Sequence, residues 1–166
     1  MVDDMSEGVV VGIGEYAVVE GETPISTIGL GSCVGIVLYD RVKKITGLSH
    51  IMLPYMENRN DRIGKYADAA IPALIEEMVK RGANRQNLKA KIAGGASIFT
   101  FEEDHLQIGK RNVEAVRETL RKHGVHIEAE DVGGNRGRTI TFYPRECKLH
   151  IRVVRRGADG PTEKTI

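Results

Sequence analysis

The sequence predicts an α+β fold in which a mixed β-sheet or sandwich is layered with two long helices. Two observations carry this prediction. Six to eight short segments rich in β-branched residues are typical of strands, and two longer segments have apolar residues at helical spacing. Their order does not follow a regular βαβ alternation. The chain has 166 residues, 41% of them hydrophobic and 28% charged, which predicts one domain over residues 1–166.

The N-terminal part predicts a polar extension followed by strand structure. Residues 1–8 are acidic and polar. Residues 9–19 (VVVGIGEYAVV) are β-branched but interrupted by Gly12 and Gly14. This pattern indicates either one strand with a bulge or two short strands. A turn is expected over residues 21–24, which contain glycine and proline.

The next segment predicts a β-hairpin. Residues 34–39 (VGIVLY) form a buried strand, residues 40–44 a tight polar turn, and residues 45–53 the antiparallel partner. In such a hairpin, Cys33 at the start of one strand lies near His50, late in the other. The pattern therefore predicts that a thiol and an imidazole converge.

A polar loop and a helix follow. Residues 54–65 are polar and contain glycine, which indicates a loop that leaves the region of Cys33 and His50 and is a candidate rim or lid. From Tyr66 onward apolar residues recur at helical spacing, and Gly82 ends the pattern. Pro72 lies inside this segment, so we expect either a kink or a later helix start near Ile71.

The C-terminal half predicts strands around a second helix. In chain order, its elements are a strand at 88–93, an amphipathic helix that ends at Gly124, a strand at 125–130, a loop at 133–137, and a hairpin of 138–143 with 148–155. The tail, residues 157–166, is polar and is expected to be loose and flexible.

Composition excludes several classes of function. A formal net charge of +1 with interspersed acids and bases does not favour nucleic-acid binding. No apolar run approaches the roughly 20 residues of a membrane span, and the N-terminus does not resemble a signal peptide. We therefore expect a cytoplasmic protein without membrane insertion. Cys33 and Cys147 lack the spacing of a metal site or a disulfide scaffold.

The candidate chemistry lies at Cys33, which follows Gly29, Gly31 and Ser32. Cysteine is a strong nucleophile as the thiolate, which a nearby imidazole or backbone N–H groups favour. The glycines allow backbone N–H groups to approach a substrate carbonyl, so these three residues are candidates for an oxyanion site. Taken alone, a histidine in an apolar strand is more often a satisfied core residue, so the importance of His50 depends on its pairing with Cys33. Cys33 in its glycine-rich context is equally compatible with a small buried hydrophobic residue.

A third group commonly orients the imidazole of a Cys-His pair. Thr27, six residues before the cysteine, is able to supply it. Threonine hydroxyls more often bond to local backbone, so Thr27 alone would carry little weight.

Five motifs together resemble the chemoreceptor glutamine deamidase CheD family of bacterial and archaeal chemotaxis. They are residues 27–34 (TIGLGSCV), 50–54 (HIMLP), 64–68 (GKYAD), 91–96 (KIAGGA) and 133–138 (GGNRGR). The resemblance implies that Cys33 is the nucleophile, His50 the base and Thr27 the group that orients the base. It implies a hydrolase that converts glutamine side chains to glutamate through a thioester, with no metal or organic cofactor.

The resemblance also implies a fold and partners. The fold is expected to be similar to the catalytic domain of cytotoxic necrotizing factor deamidases. The expected substrates are methyl-accepting chemoreceptors, and a further expected partner is the phosphatase CheC. Because a folded receptor helix needs an open site, residues 54–65 and 97–106 are expected to form its rim. Phe99 and Phe101 are candidate docking contacts.

Two alternatives remain open from the residues. One is a cysteine hydrolase or transglutaminase-like enzyme that acts on other amides. The other is a non-enzymatic module that regulates a phosphatase such as CheC, with Cys33 as a packing residue.

Overall fold

In the described part of the chain, two five-stranded sheets pack face to face, with two helices on one outer side. The structure is a computed structural model that describes residues 8–97, 107–153 and 162–166. The strands are β1 (Val9–Val11), β2 (Tyr16–Glu20), β3 (Ile25–Leu30), β4 (Val34–Asp40), β5 (Ile45–Ile51), β6 (Lys89–Gly94), β7 (His126–Val132), β8 (Arg138–Tyr143), β9 (Lys148–Val153) and β10 (Thr162–Thr165). The helices are α1 (Ala67–Lys80) and α2 (Ile108–Lys122), with 3-10 turns at Ile63–Lys65 and Arg85–Asn87. The prediction of an α+β fold with two long helices is confirmed.

The two sheets differ in strand order and in the layers that cover them. The outer sheet has the strand order β1-β3-β8-β9-β10, and the central sheet has the order β2-β5-β4-β6-β7. Each sheet has one parallel pair, β1 with β3 and β6 with β7, and is otherwise antiparallel. The central sheet packs on the outer sheet through one face and on the helices through the other.

The burial of strand β4 shows that the central sheet is covered on both faces. Every residue of β4 is buried. Val34, Ile36 and Leu38 belong to the core shared with the helices, whereas Val37 and Tyr39 belong to the core between the sheets. Because successive side chains of a strand point to opposite faces, a continuous apolar run is what a strand between two layers requires.

The predicted hairpin is confirmed. Strands β4 and β5 pair antiparallel across a polar turn, with Gly35 opposite His50 and Asp40 opposite Ile45. Asp40 closes the turn by accepting hydrogen bonds from the N–H groups of Val42 and Lys43 at 3.0 and 2.9 Å.

The first helix begins before its proline. Helix α1 starts at Ala67, so the later start near Ile71, one of the two expected alternatives, is wrong, and Pro72 lies within the helix. The N–H of Ala67 donates to the C=O of Leu53 at 2.9 Å. Ala67 and Ile71 are fully buried. These contacts hold the first turn in place despite the hydrogen bond that proline cannot donate.

Two further segments differ from or refine the sequence prediction. Residues 9–19 were predicted to form one bulged strand or two short strands. They form two short strands, β1 and β2, which belong to different sheets. The expectation of a loose tail is wrong for residues 162–166, because β10 pairs antiparallel with the edge strand β9. Residues 1–7 and 157–161 lie outside the described part of the chain. Neither described helix has the length and apolar character needed to cross a membrane.

Candidate active site

The centre of the candidate site is a hydrogen-bonded pair between the two sheets. His50 on β5 and Thr27 on β3 are both fully buried. Their Nδ1 and Oγ1 atoms lie 2.7 Å apart. Thr27 Oγ1 also lies 2.6 Å from the C=O of Val11. The strand pairing of β3 with β1 and the stacking of the sheets bring these three residues together.

These two contacts determine the tautomer of the imidazole. The Thr27 hydroxyl has one hydrogen, and the Val11 carbonyl is only able to accept it. Thr27 Oγ1 therefore accepts a hydrogen bond from the Nδ1–H of His50. The lone pair of a neutral His50 is then on Nε2, which is buried and has no hydrogen-bond partner in the described part of the chain. This arrangement leaves Nε2 able to accept a proton.

Burial also determines the charge of the imidazole. Removal from water disfavours the imidazolium and lowers the pKa of His50 from 6.5 to about 4. Near neutral pH the ring is therefore neutral, which is the form that acts as a base.

Cys33 lies on the same face of the central sheet as His50. It precedes β4 by one residue and packs against the core between the sheets. Gly35, two residues later, pairs directly with His50. Positions related in this diagonal way have Cα atoms about 7–8 Å apart. The register therefore makes the thiol and the imidazole neighbours on one face.

The thiol is half-buried rather than enclosed. Burial raises the pKa of Cys33, and the N–H of the same residue acts in the opposite direction and lowers that pKa. With the thiol and the imidazole both shifted toward their neutral forms, the resting site holds a thiol beside a neutral base.

Two glycines shape the turn over residues 29–33, which carries Cys33, and its contact with β6. Gly29 has a φ of +79° and lies at the β-bulge between Thr27 and Leu30, a conformation that favours glycine. A Cβ on Gly94 would lie 2.3 Å from the carbonyl oxygen of Cys33. Glycine at position 94 therefore allows β6 to approach the turn.

The backbone of the turn is held through its carbonyl groups. The C=O groups of Gly31 and Cys33 accept hydrogen bonds from the N–H groups of Ala96 and Gly95, each at 2.8 Å. Within the described residues, the N–H groups of Gly31, Ser32 and Cys33 donate to no other residue. N–H groups left free in this way are the kind that stabilise an oxyanion.

Sequence reasoning missed Asn112. This residue is fully buried on α2. Its Nδ2 donates to the C=O of Ser32 and to the C=O of Met52, each at 2.9 Å. The signal available in the sequence was a polar residue beside Val113, on the apolar stripe of the second helix.

Arg138 lies at the start of β8, directly after the 133–137 loop. It is buried, and its guanidinium donates to Asp131 Oδ2 at 3.0 Å and to the C=O of Gly133 at 2.9 Å. These bonds hold the 133–137 loop against the end of the central sheet.

The expected rim is described in part. Residues of the 54–65 loop line a cavity of about 300 Å³ together with Ile108 and Arg111 of α2. Phe99 and Phe101, the candidate docking contacts, lie outside the described residues. Among the described residues, no three His, Cys, Asp or Glu side chains are grouped as metal ligands.

Comparison with known proteins identifies close relatives. The family model described as "CheD chemotactic sensory transduction" matches residues 52–153. The chemoreceptor glutamine deamidase CheD of Halalkalibacterium halodurans is 48% identical over 158 residues, covering 92% of this chain and 98% of the relative. That of Thermotoga maritima is 48% identical over 145 residues, covering 87% and 91%.

A solved structure has a similar fold with little sequence identity. Neisseria meningitidis protein NMB0706 superposes with a TM-score of 0.50 at 9% identity, over 84% of this chain and 76% of that chain. This likeness concerns the fold alone. The expected similarity to the cytotoxic necrotizing factor domain stays a prediction.

Proposed function

The chain belongs to the CheD family, and we propose that it deamidates glutamine side chains of chemoreceptors with Cys33 as nucleophile and His50 as base. It is a protein-glutamine deamidase of chemotaxis, a hydrolase that converts glutamine to glutamate. The matched family range begins after Thr27, Cys33 and His50. The roles of these residues are therefore argued from the geometry of the site.

The first half of the reaction forms a thioester. His50 Nε2 accepts the proton of the Cys33 thiol as the sulfur attacks the carboxamide carbon of a receptor glutamine. The carbonyl π electrons move to oxygen, and the free N–H groups of the Ser32–Cys33 turn stabilise the oxyanion. When the tetrahedral intermediate collapses, its C–N bond breaks, and the imidazolium returns the proton to the leaving ammonia.

The second half hydrolyses the thioester. His50 takes a proton from water, and the resulting hydroxide equivalent attacks the thioester carbon. The C–S bond breaks, the thiol recovers its proton, and glutamate is released. Because the resting thiol and imidazole are both neutral, proton transfer accompanies the attack rather than preceding it.

One observation carries this proposal: a buried histidine whose Nδ1–H is held by Thr27 and whose Nε2 has no partner in the described chain. An unpaired buried acceptor is unfavourable for folding. A neighbouring thiol gives that acceptor a chemical role.

The direct test uses a cytoplasmic fragment of a methyl-accepting chemoreceptor. We expect the purified protein to release ammonia from this fragment and to convert specific glutamines to glutamate, as measured by peptide mass spectrometry. A fragment with those glutamines replaced by glutamate is the matched control and should release none. Ammonia from unrelated amides but none from the receptor would instead support the broader cysteine hydrolase.

Thr27 offers a second test of the mechanism. Thr27→Val keeps the side-chain shape and removes the hydroxyl. We expect turnover to fall about tenfold because His50 loses the contact that fixes its tautomer. We expect the free energy of unfolding to fall by about 2 kcal/mol because Nδ1–H and the Val11 carbonyl lose their buried partner. Thr27→Ser retains the hydroxyl and should behave like the wild type, and equal turnover in all three proteins would contradict this role of Thr27.

Two features belong to this proposal through the resemblance. A phosphatase of the CheC type is the proposed further partner, which would dock over the same site. The proposed compartment is the cytoplasm, where the cytoplasmic portions of chemoreceptors are accessible.

A further inference from the structure

Asn112 holds two distant parts of the candidate site with one amide group. It lies on α2 and is fully buried. Its Nδ2 lies 2.9 Å from the carbonyl oxygens of Ser32 and Met52. Ser32 directly precedes Cys33, and Met52 follows His50 by two residues. One side chain therefore binds both the turn that carries Cys33 and the segment that follows His50.

The orientation of this amide follows from its partners. Two carbonyl oxygens require two N–H donors, and only the NH₂ end of the amide has them. A flipped amide would place Oδ1 against both oxygens. In the observed orientation, Oδ1 is buried with no partner in the described part of the chain. The unpaired Oδ1 is unfavourable for folding, so the contribution of asparagine here lies in its two donated hydrogen bonds.

These bonds determine which way one backbone N–H points. A trans peptide is planar, so its C=O and its N–H point in opposite directions. Asn112 binds the C=O of Ser32, which directs the N–H of Cys33 away from α2. That N–H donates to no other residue among those described. Burial raises the pKa of the Cys33 thiol, and this N–H acts in the opposite direction and lowers that pKa.

We propose that Asn112 is a positioning residue that locks the Ser32–Cys33 peptide, so that the Cys33 N–H faces the oxyanion formed at the reacting carboxamide. Without this lock, the peptide is free to rotate, since Ser32 C=O has no other partner among the described contacts. The neighbouring peptides are held separately, through Gly31 C=O by Ala96 and through Cys33 C=O by Gly95. The proposal rests on the deamidase mechanism proposed above.

The test compares two shape-conserving variants on the same helix. Asn112→Leu removes both donors at the turn. Thr119→Val removes a buried hydroxyl whose one hydrogen bond among the described residues is to the C=O of Ala115 within α2, at 2.7 Å, so it controls for lost stability. We expect Asn112→Leu to lower kcat on the receptor fragment by about 100-fold with KM within about threefold, the effect of losing one oxyanion donor. Thr119→Val should retain the wild-type kcat.

A second readout does not depend on the receptor. The rate of Cys33 alkylation by iodoacetamide, followed by peptide mass spectrometry as a function of pH, reports the thiolate fraction. The midpoint of this profile should move to higher pH in Asn112→Leu, because the N–H no longer favours the thiolate. It should not move in Thr119→Val. If Asn112 fixes the orientation of the Ser32–Cys33 peptide, the midpoint of the alkylation profile moves in Asn112→Leu. If Asn112 acts through packing alone, the midpoint does not move.

Several outcomes would overturn the proposal. An unchanged kcat or an unchanged alkylation midpoint in folded Asn112→Leu would do so. If leucine does not fit, Asn112→Ala replaces it, and failure of both variants to fold would assign the two bonds to folding alone. A wild-type protein without deamidase activity would instead reject the proposed function, and the alkylation profile would still decide the role of Asn112.

Discussion

Replacing Cys33 with alanine is expected to abolish deamidation of the receptor fragment while leaving the fold intact. The variant has no nucleophile for thioester formation, so turnover should fall by about 10⁴-fold or more. Because the side chain is half-buried and the change is small, the free energy of unfolding should change by no more than about 1 kcal/mol. Ammonia release and denaturant unfolding measure the two effects.

Cys147 provides the matched control for this experiment. It is the second cysteine, buried in the turn between β8 and β9, where its sulfur contacts the C=O of Pro144 at 3.5 Å. Cys147→Ala should retain turnover. Deamidation by Cys33→Ala at the wild-type rate would exclude the thioester mechanism, and the alternative of Cys33 as a packing residue would then be favoured.

The second large effect is expected at His50. His50→Gln keeps a polar side chain in the buried position and removes the base, so turnover should fall by about 10²- to 10⁴-fold. Iodoacetamide alkylation of Cys33 should also slow near neutral pH, since no group remains to accept the thiol proton. His126→Gln, on the exposed surface of β7, is the control and should have no effect. Wild-type turnover in His50→Gln would contradict the assignment of the base.

The same variant tests the burial of the imidazole through the pH dependence of folding. The pKa of His50 is about 4 in the folded chain and 6.5 as its ordinary value. Between these values the unfolded chain binds the proton and the folded chain does not, so stability falls as the pH is lowered from 6.5 to 4. At about 1.4 kcal/mol per pKa unit, the loss is about 3 kcal/mol.

Denaturant unfolding of the wild type and His50→Gln at pH 7 and pH 4.5 measures this loss. The decrease in stability over this range should be smaller in His50→Gln, because the difference between the two proteins isolates the histidine from the carboxylates that also titrate. Equal decreases would indicate an imidazole that is accessible to water.

The features predicted correctly depend on local sequence. The β4–β5 hairpin is encoded by two apolar runs joined by a short polar turn, and both helices are encoded by their apolar spacing. The assignment of residues 9–19 to two different sheets was not decidable, because a glycine-interrupted segment is compatible with one bulged strand or two strands. The strand Thr162–Thr165 was missed because its polar sequence becomes a strand only against the open edge of β9.

The residues of the candidate site also divide into those that local sequence predicts and those that it does not. Cys33, Thr27 and His50 are predicted site residues from a glycine-rich motif and a hairpin, both within one short stretch of chain. Asn112 was not predicted, because its partners Ser32 and Met52 lie 80 and 60 residues away. A polar residue beside an apolar stripe does not indicate which distant carbonyl it will meet.

The sequence by itself determined which chemical groups are present and which of them share a hairpin, because strand alternation and turn composition act between neighbouring residues. Only the tertiary structure decided the tautomer of His50, the depression of its pKa, and the direction of the Cys33 N–H. The tautomer and the pKa of His50 depend on its contact with Thr27 and on the exclusion of water between the two sheets. The direction of the Cys33 N–H depends on the hydrogen bond that Asn112 donates from α2 to the C=O of Ser32. These properties arise only when the layers have packed.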